Sequence, residues 1–283
     1  MIYIACAMYR EAEPLIRRFE CKTDPSFRRQ QVFSGEDALI IVTGTSPVPA
    51  AAALAGVLAL REPGESDVFA NVGLCGCSGG AFSVGTVCLA KSITEQATGR
   101  RFFPDLLFRR TCALAPLITY STVVESAKDI PSGSLFDTEA AGLYQAALPF
   151  FSTDRLVFLK IVSDSGDDAS SVTPQTVSAL TEQNADCIVD TLRRFADNYR
   201  TAPAESESNR DIIDYFCRSL RCSVTMELEL RRLIDYCEMA YGDVAPRLRA
   251  FFAEHGLNFE ENVILGSRKE GKYVLEQFRR SCL

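Results

Sequence analysis

Residues 71–86 read NVGLCGCSGGAFSVGT, five glycines in sixteen positions, directly after the apolar run Asp67-Val-Phe-Ala. A glycine-rich turn after a strand often cradles a phosphate, so this stretch separates several functions from one another. The string is neither G-x-G-x-x-G nor G-x-x-x-x-G-K-S/T, which leaves dinucleotide and P-loop readings unsupported. The rest of the chain has to supply the answer.

Working outward, strand-like and helix-like patterns alternate over the first two hundred residues. Apolar or β-branched runs at 1–6, 38–42, 67–72, 86–90, 117–121 and 156–162 predict strands. Ala12, Leu15, Ile16 and Phe19 recur at helical spacing, and 49–60, 139–147 and 174–199 read as helices. This alternation predicts a three-layer α/β/α domain over residues 1–200, with a central mixed, largely parallel sheet. The polar, proline-containing segment Thr201-Ala-Pro-Ala-Glu-Ser-Glu-Ser marks the boundary. Beyond it, residues 201–283 read as a helical C-terminal extension. Ile212, Phe216 and Leu220 form one stripe there, and Leu230, Leu233, Ile234 and Cys237 another. Its last seventeen residues carry five basic and two acidic side chains, the pattern of a solvated face.

Composition narrows the classes further. The 283 residues are 47% hydrophobic and 24% charged, an ordinary globular mix with enough apolar material for a substantial core. No apolar run approaches the roughly 18–20 residues of a membrane span. The start, MIYIACAMYREAEPL, shows neither a basic leader nor a cleavage site, so a cytoplasmic protein is expected. With a net charge of −7, a nucleic-acid groove would need a local basic patch against the global field. Eleven cysteines scattered through apolar runs suit free thiols better than a disulfide framework. Cys75-Gly-Cys77 is too short a cluster for a metal, and the one histidine, His255, is far along the chain. No metal and no cofactor is expected.

Three acidic residues stand just past predicted strand ends, where α/β sheets place their chemistry. Glu11 follows the first strand, Glu139 opens a helix in Leu135-Phe-Asp-Thr-Glu-Ala-Ala, and Asp164 ends Phe158-Leu-Lys-Ile-Val-Ser. Singly, each reads as a helix-terminal charge or a cap. Together with the glycine stretch 73–80, the runs Ile4-Ala-Cys-Ala-Met-Tyr-Arg-Glu-Ala-Glu, Asp137-Thr-Glu-Ala-Ala and Val162-Ser-Asp-Ser keep one order and spacing. In that order they resemble the nucleoside phosphorylase and nucleosidase superfamily over about residues 1–200. The branch they resemble most is methylthioadenosine/S-adenosylhomocysteine nucleosidase.

The resemblance implies hydrolysis of the N-glycosidic bond of a purine nucleoside. Asp164 matches the acid that protonates N7 of the leaving base, a task that calls for a carboxyl protonated near neutrality. Glu139 matches the carboxylate that binds the ribose hydroxyls and faces the developing oxocarbenium charge. Glu11 matches the residue that positions and deprotonates the attacking water. Lys160 stands where the nucleosidases carry an arginine near that water, keeping the charge and losing the planar fork. Thr138 replaces a methionine that packs on the sugar. Gly73, Cys75 and Gly76 are the backbone candidates for close approach to sugar and base. An aspartate at 164 favours a 6-amino purine, so the expected substrates are methylthioadenosine, S-adenosylhomocysteine and 5′-deoxyadenosine. The relatives often complete the 5′ pocket from a neighbouring subunit, which implies a homodimer.

The opening stretch then has a reading. In the hexameric phosphorylases of this superfamily the matching segment reads roughly Arg-Val-Gly-Ser-Cys-Gly, and its arginine and serine hold phosphate. Asn71 and Leu74 occupy those positions here, and neither replaces a cation or a hydroxyl donor. Water is the expected nucleophile. Two alternatives stay open: a phosphorylase whose anion site is rebuilt from Lys91 or Arg100-Arg101, and a non-catalytic nucleoside-binding module.

Overall fold

The computed structural model describes residues 1–109, 111–124, 126–166, 172–200, 207–241, 245–257 and 263–282. The chain divides into two compact units, Met1–Ala202 and Pro203–Leu283. Of the polar stretch expected at the boundary, residues 201–206 lie outside the described ones.

The first unit begins with β1 (Ile2–Cys6), whose five residues are all buried, and α1 (Tyr9–Arg18). Two short strands, β2 (Lys22–Thr23) and β3 (Gln31–Ser34), lead into β4 (Ala38–Val42). Then follow α2 (Pro47–Leu60), with proline in its first turn, and the long β5 (Val68–Cys77). β6 (Val87–Glu95), β7 (Arg101–Phe102), β8 (Ala113–Thr119) and β9 (Leu135–Asp137) come next. The unit ends with α3 (Ala140–Ala147), β10 (Leu156–Asp164) and α4 (Pro174–Arg200).

One mixed sheet holds all ten strands, and its long ladders are parallel. From its edge it runs β2-β3-β4-β1-β5 as an open sheet. From β5 it continues β10-β6-β8-β9 and returns to β5, so five strands close into a ring. Because successive side chains point to opposite faces, the two faces carry separate cores. Tyr3, Leu39, Phe69 and Phe158 meet Leu54 of α2 and Leu143 of α3 on one face. Ile4, Ile40 and Val72 meet Leu15 of α1 and Leu192 and Phe195 of α4 on the other. Helices therefore cover both faces, which is the three-layer arrangement expected.

The structure changes one reading of the opening stretch. Gly73 to Cys77 form no turn: they continue β5, paired with β10 through Gly76, and only Ser78–Gly80 curl away. Local glycine content argues for a loop, but β10 along one edge and β9 at Gly76 and Cys77 hold this segment extended, and the missing side chains make room for other groups.

The second unit contains α5 (Glu207–Ser219), α6 (Val224–Tyr241), α7 (Ala245–Glu254) and α8 (Arg268–Cys282). Phe216, Leu220, Leu230, Leu233, Ile234 and Cys237 are buried together with Ile213, Leu248, Phe252 and Phe278. The side chain of Ile212, expected in the first stripe, lies outside the described residues. At the centre the rings of Phe216 and Phe252 stack with centroids 3.9 Å apart. Phe252→Ala removes that contact and leaves a cavity, at a cost of about 3–5 kcal/mol. Hydrogen exchange of the α5 amides in the full chain reads the loss, with the β5 amides of the first unit unaffected.

Candidate active site

The site grows from a gap in the sheet. β5 pairs with β1 only as far as Asn71, and β9 takes over the far end at Gly76 and Cys77. Between them one edge of β5 has no neighbouring strand, and Glu11 fills the place. Its Oε1 accepts from Leu74 N–H at 2.9 Å, and its Oε2 accepts from Met8 N–H at 3.0 Å. The second bond is half of a capping arrangement at the start of α1. A Cβ on Gly73 would sit 3.0 Å from Glu11 Oε1, so the bare glycine is what lets this carboxylate lie so close to the strand. Burial pushes the Glu11 carboxyl above its ordinary range, against the lowering by the Leu74 N–H and by Lys160.

Lys160 is the one charged residue in the buried stretch of β10 and is 1% exposed. A cation so deep needs a partner. It finds Asp137 at the end of β9, with Nζ 2.8 Å from Oδ2. The same Oδ2 accepts from Ala140 N–H at 3.0 Å, and Oδ1 accepts from the Thr119 hydroxyl at 2.7 Å. Thr119 in turn accepts from Ala141 N–H, so Asp137 and Thr119 together satisfy the start of α3. Burial pulls the Lys160 ammonium down, but the charges of Asp137, Glu139 and Glu11 outweigh it and hold it above the usual range.

Glu139 is buried at the head of α3. Its Oε1 accepts from the Thr138 hydroxyl and, at 3.3 Å, from Ser46 N–H just before α2. Burial first, and the negative charge of Asp137 second, push this carboxyl up to about 7, while Lys160 and the Thr138 hydroxyl pull the other way.

Asp164 ends β10 after a bulge: Val162 faces Cys75 on β5, while Asp164 faces the very next residue, Gly76. The extra residue, Ser163, turns the strand end toward the site. Asp164 Oδ1 accepts from Gly166 N–H at 2.8 Å. Ser163 Oγ lies 2.6 Å from Asp164 Oδ2 and 3.0 Å from the Cys75 carbonyl oxygen. One hydroxyl proton serves two acceptors. The hydroxyl thereby ties the Asp164 carboxyl to the β5 backbone.

These carboxylates face a common space, a cavity of about 340 Å³. Glu11, Glu139 and Asp164 line it, as do Cys75, Gly76 and Thr138. Two expected residues do not. Gly73 gives its room to Glu11, and Lys160 lies beneath, held on Asp137. Gly76 also yields its space to protein: a Cβ there would sit 2.0 Å from the Phe136 ring, and one on Gly166 2.7 Å from it. The tip of Phe136 is wedged between these two glycines, and the ring forms part of the cavity wall. No lysine or arginine is among the described residues lining it. Arg100 bonds Gln145 and stacks over Phe102, Arg101 stacks over Phe103, and neither they nor Lys91 line the cavity.

The sequence reading missed Asp137, Phe136, Ser163 and Ser46. Asp137 had a signal, since a lone lysine inside Phe158-Leu-Lys-Ile-Val demands an acidic partner, but two candidates two residues apart competed for it. Phe136 and Ser46 carried none.

No family model matches the chain, and no curated protein matches it. Solved structures do. A 5′-methylthioadenosine/S-adenosylhomocysteine nucleosidase from Streptococcus pneumoniae, bound to a transition-state inhibitor, matches with a TM-score of 0.58 at 17% identity, over 68% of this chain and 98% of that one. The enzyme of the same name from Neisseria meningitidis, in complex with methylthio-immucillin-A, gives 0.55 at 20% identity, over 67% and 98%. The Arabidopsis thaliana 5′-methylthioadenosine nucleosidase gives 0.55 at 18%, over 68% and 95%. The likeness is one of fold, and the fold is that of the nucleosidases the motifs resemble.

The glycine notch makes a steric prediction. Gly76→Ala drives a methyl group into the Phe136 ring and destabilises the protein by about 1–3 kcal/mol. Adding Phe136→Val frees the space, so the double variant melts above the Gly76→Ala single variant. Additive losses would show that the two positions do not compete for one space.

Proposed function

We propose that the first unit is a hydrolase that cleaves the N-glycosidic bond of a 5′-modified adenosine and releases adenine. Methylthioadenosine, S-adenosylhomocysteine and 5′-deoxyadenosine are the candidate substrates. The observation that carries this is the meeting of Glu11, Glu139 and Asp164, more than 150 residues apart at the extremes, on the wall of one cavity. A site that only binds a nucleoside has no need of a water-activating base, a cation-stabilising carboxylate and a proton donor together.

In this reading the base lies against Asp164, whose carboxyl gives its proton to N7 while the other oxygen accepts from the 6-amino group. As the bond breaks, positive charge grows on the sugar ring. Glu139 meets it. Thr138 and Ser46 hold Oε1, which leaves its second oxygen for the ribose hydroxyls. Glu11, fixed by two backbone N–H groups, orients water toward the anomeric carbon and takes its proton. Lys160 acts from below through Asp137, holding negative charge in a buried site. Water is favoured over phosphate as nucleophile because an oxyanion needs cationic donors and the described lining offers none. The chemistry calls for no metal or cofactor. The free thiols of Cys6, Cys75, Cys77 and Cys88 inside the sheet suit a cytoplasmic protein, and a homodimer is part of the same reading. Among the described residues no helix is long and apolar enough to cross a membrane.

Free adenine should appear when the protein meets methylthioadenosine in phosphate-free buffer, at a rate that added phosphate leaves unchanged. A rate proportional to phosphate would make it a phosphorylase. Glu139→Gln should lower kcat by about 10²–10³-fold with an unchanged circular dichroism spectrum.

The pH profile follows from burial. Glu139 works ionised, so kcat/KM should rise with pH through about 7. Lys160→Met removes the cation that favours ionisation, moves this limb to higher pH, and costs about 3–5 kcal/mol of stability through the unpaired Asp137. A limb that stays in place would remove Lys160 from the electrostatics of the site.

A further inference from the structure

A second chemical feature lies in the helical unit, at the end of α5. Cys222 N–H donates to the Cys217 carbonyl at 2.9 Å, and Arg221 N–H donates to the Arg218 carbonyl at 3.1 Å. Arg221 adopts φ 53°, the left-handed conformation that a helix stop of this type requires. The two nested bonds make a Schellman motif, in which the first and last residues bring their side chains together. Apolar side chains usually meet there. This chain places two thiols at those positions.

We propose that Cys217 and Cys222 form a redox-active thiol pair that hydrogen peroxide or an organic peroxide oxidises to an intramolecular disulfide. A disulfide spans Cα atoms about 4.4–6.8 Å apart, and the direct backbone hydrogen bond between the two residues keeps them close. Leu220 between them is fully buried in the core of the unit, so the pair cannot part without unwinding the helix end. That constraint gives each thiol a high effective concentration at the other. Both cysteines are half-buried, so a small oxidant has access.

One of the two thiolates attacks one peroxide oxygen. An S–O bond forms, the O–O bond breaks, and the departing oxygen leaves as water, or as an alcohol from an organic peroxide, with the proton the thiol gave up. The other sulfur then attacks the sulfur of the resulting sulfenic acid. The S–S bond forms, the S–O bond breaks, and the hydroxyl leaves as water with the proton of the second thiol. Two electrons pass from the sulfurs to the peroxide.

Other cysteines are placed differently. Cys6 and Cys75 are buried in the first unit, and burial pushes both thiols up. Cys112 and Cys187 also lie near each other, but they come from the loop before β8 and from α4, with no common turn to fix their separation.

Peroxide treatment of the full chain followed by tryptic mapping without reductant tests this directly. The expected product joins peptide 211–218 to peptide 222–231, two hydrogens lighter than their sum. It should form roughly tenfold faster than a Cys112–Cys187 link and revert with dithiothreitol. Cys217→Ser and Cys222→Ser should each abolish it, and Cys187→Ser should leave it unchanged. Free thiols at 217 and 222 after other cysteines have oxidised would overturn the proposal. So would separate sulfinic acids at the two positions with no cross-linked peptide.

Discussion

The buried ion pair between Lys160 and Asp137 is the constraint on which the rest of the site depends. The two residues come from β10 and β9, which both border β5 but do not pair with each other. Their contact at 2.8 Å spans the interior of the closed ring of strands. Taking both charges out of water costs several kcal/mol each, and only close geometry with further hydrogen bonds recovers it. Those bonds are present. Thr119 and the first amides of α3 complete the shell around Asp137, so the ion pair also sets where α3 begins. Glu139, two residues beyond Asp137, is thereby delivered to the cavity.

The pair also governs charge. Glu11, Asp137 and Glu139 surround one ammonium group, an excess of negative charge in a place with little water. Such a cluster holds a proton more readily than separate carboxylates do, and burial together with the charge of Asp137 pushes Glu139 up to about 7. The arrangement has a thermodynamic price that runs in a definite direction. In the unfolded chain Glu139 ionises near its ordinary value, so it favours the folded state fully below about 4.3, and that contribution declines as pH rises to about 7. A fold built for stability alone would place an uncharged side chain there.

Much of the architecture is legible in the sequence because it rests on local pattern. β4 coincides with the apolar run at 38–42, and α4 follows the predicted helix at 174–199 with one residue added. In the helical unit, Phe216 and Leu220 of one stripe and Leu230, Leu233, Ile234 and Cys237 of the other are buried as their spacing predicts. What depends on distant partners is not legible. Gly73 and Gly76 have the composition of a turn and are held in a strand, because Glu11 and the Phe136 ring need the space beside them. Sequence also gives no sign that β9 returns to β5 and closes the ring, since that pairing is two residues long. At the cavity, Glu11, Glu139 and Asp164 stand out as acids after strands. Lys160 stands out as a charge in an apolar run, but its distance from the cavity follows only from the reach of Asp137. The bulge that turns Asp164 inward is a matter of register with β5 that no local pattern encodes.

The central claim is that distant segments of the chain bury an acid in a negatively charged pocket above a single cation, so that it exchanges its proton at neutrality. Carbon-13 NMR of the side-chain carboxyl carbons, with Glu139 assigned by its loss in Glu139→Gln, measures this without any substrate. The account predicts a Glu139 titration centred near pH 7 in the folded protein. A midpoint at the ordinary glutamate value of about 4.3 would contradict it.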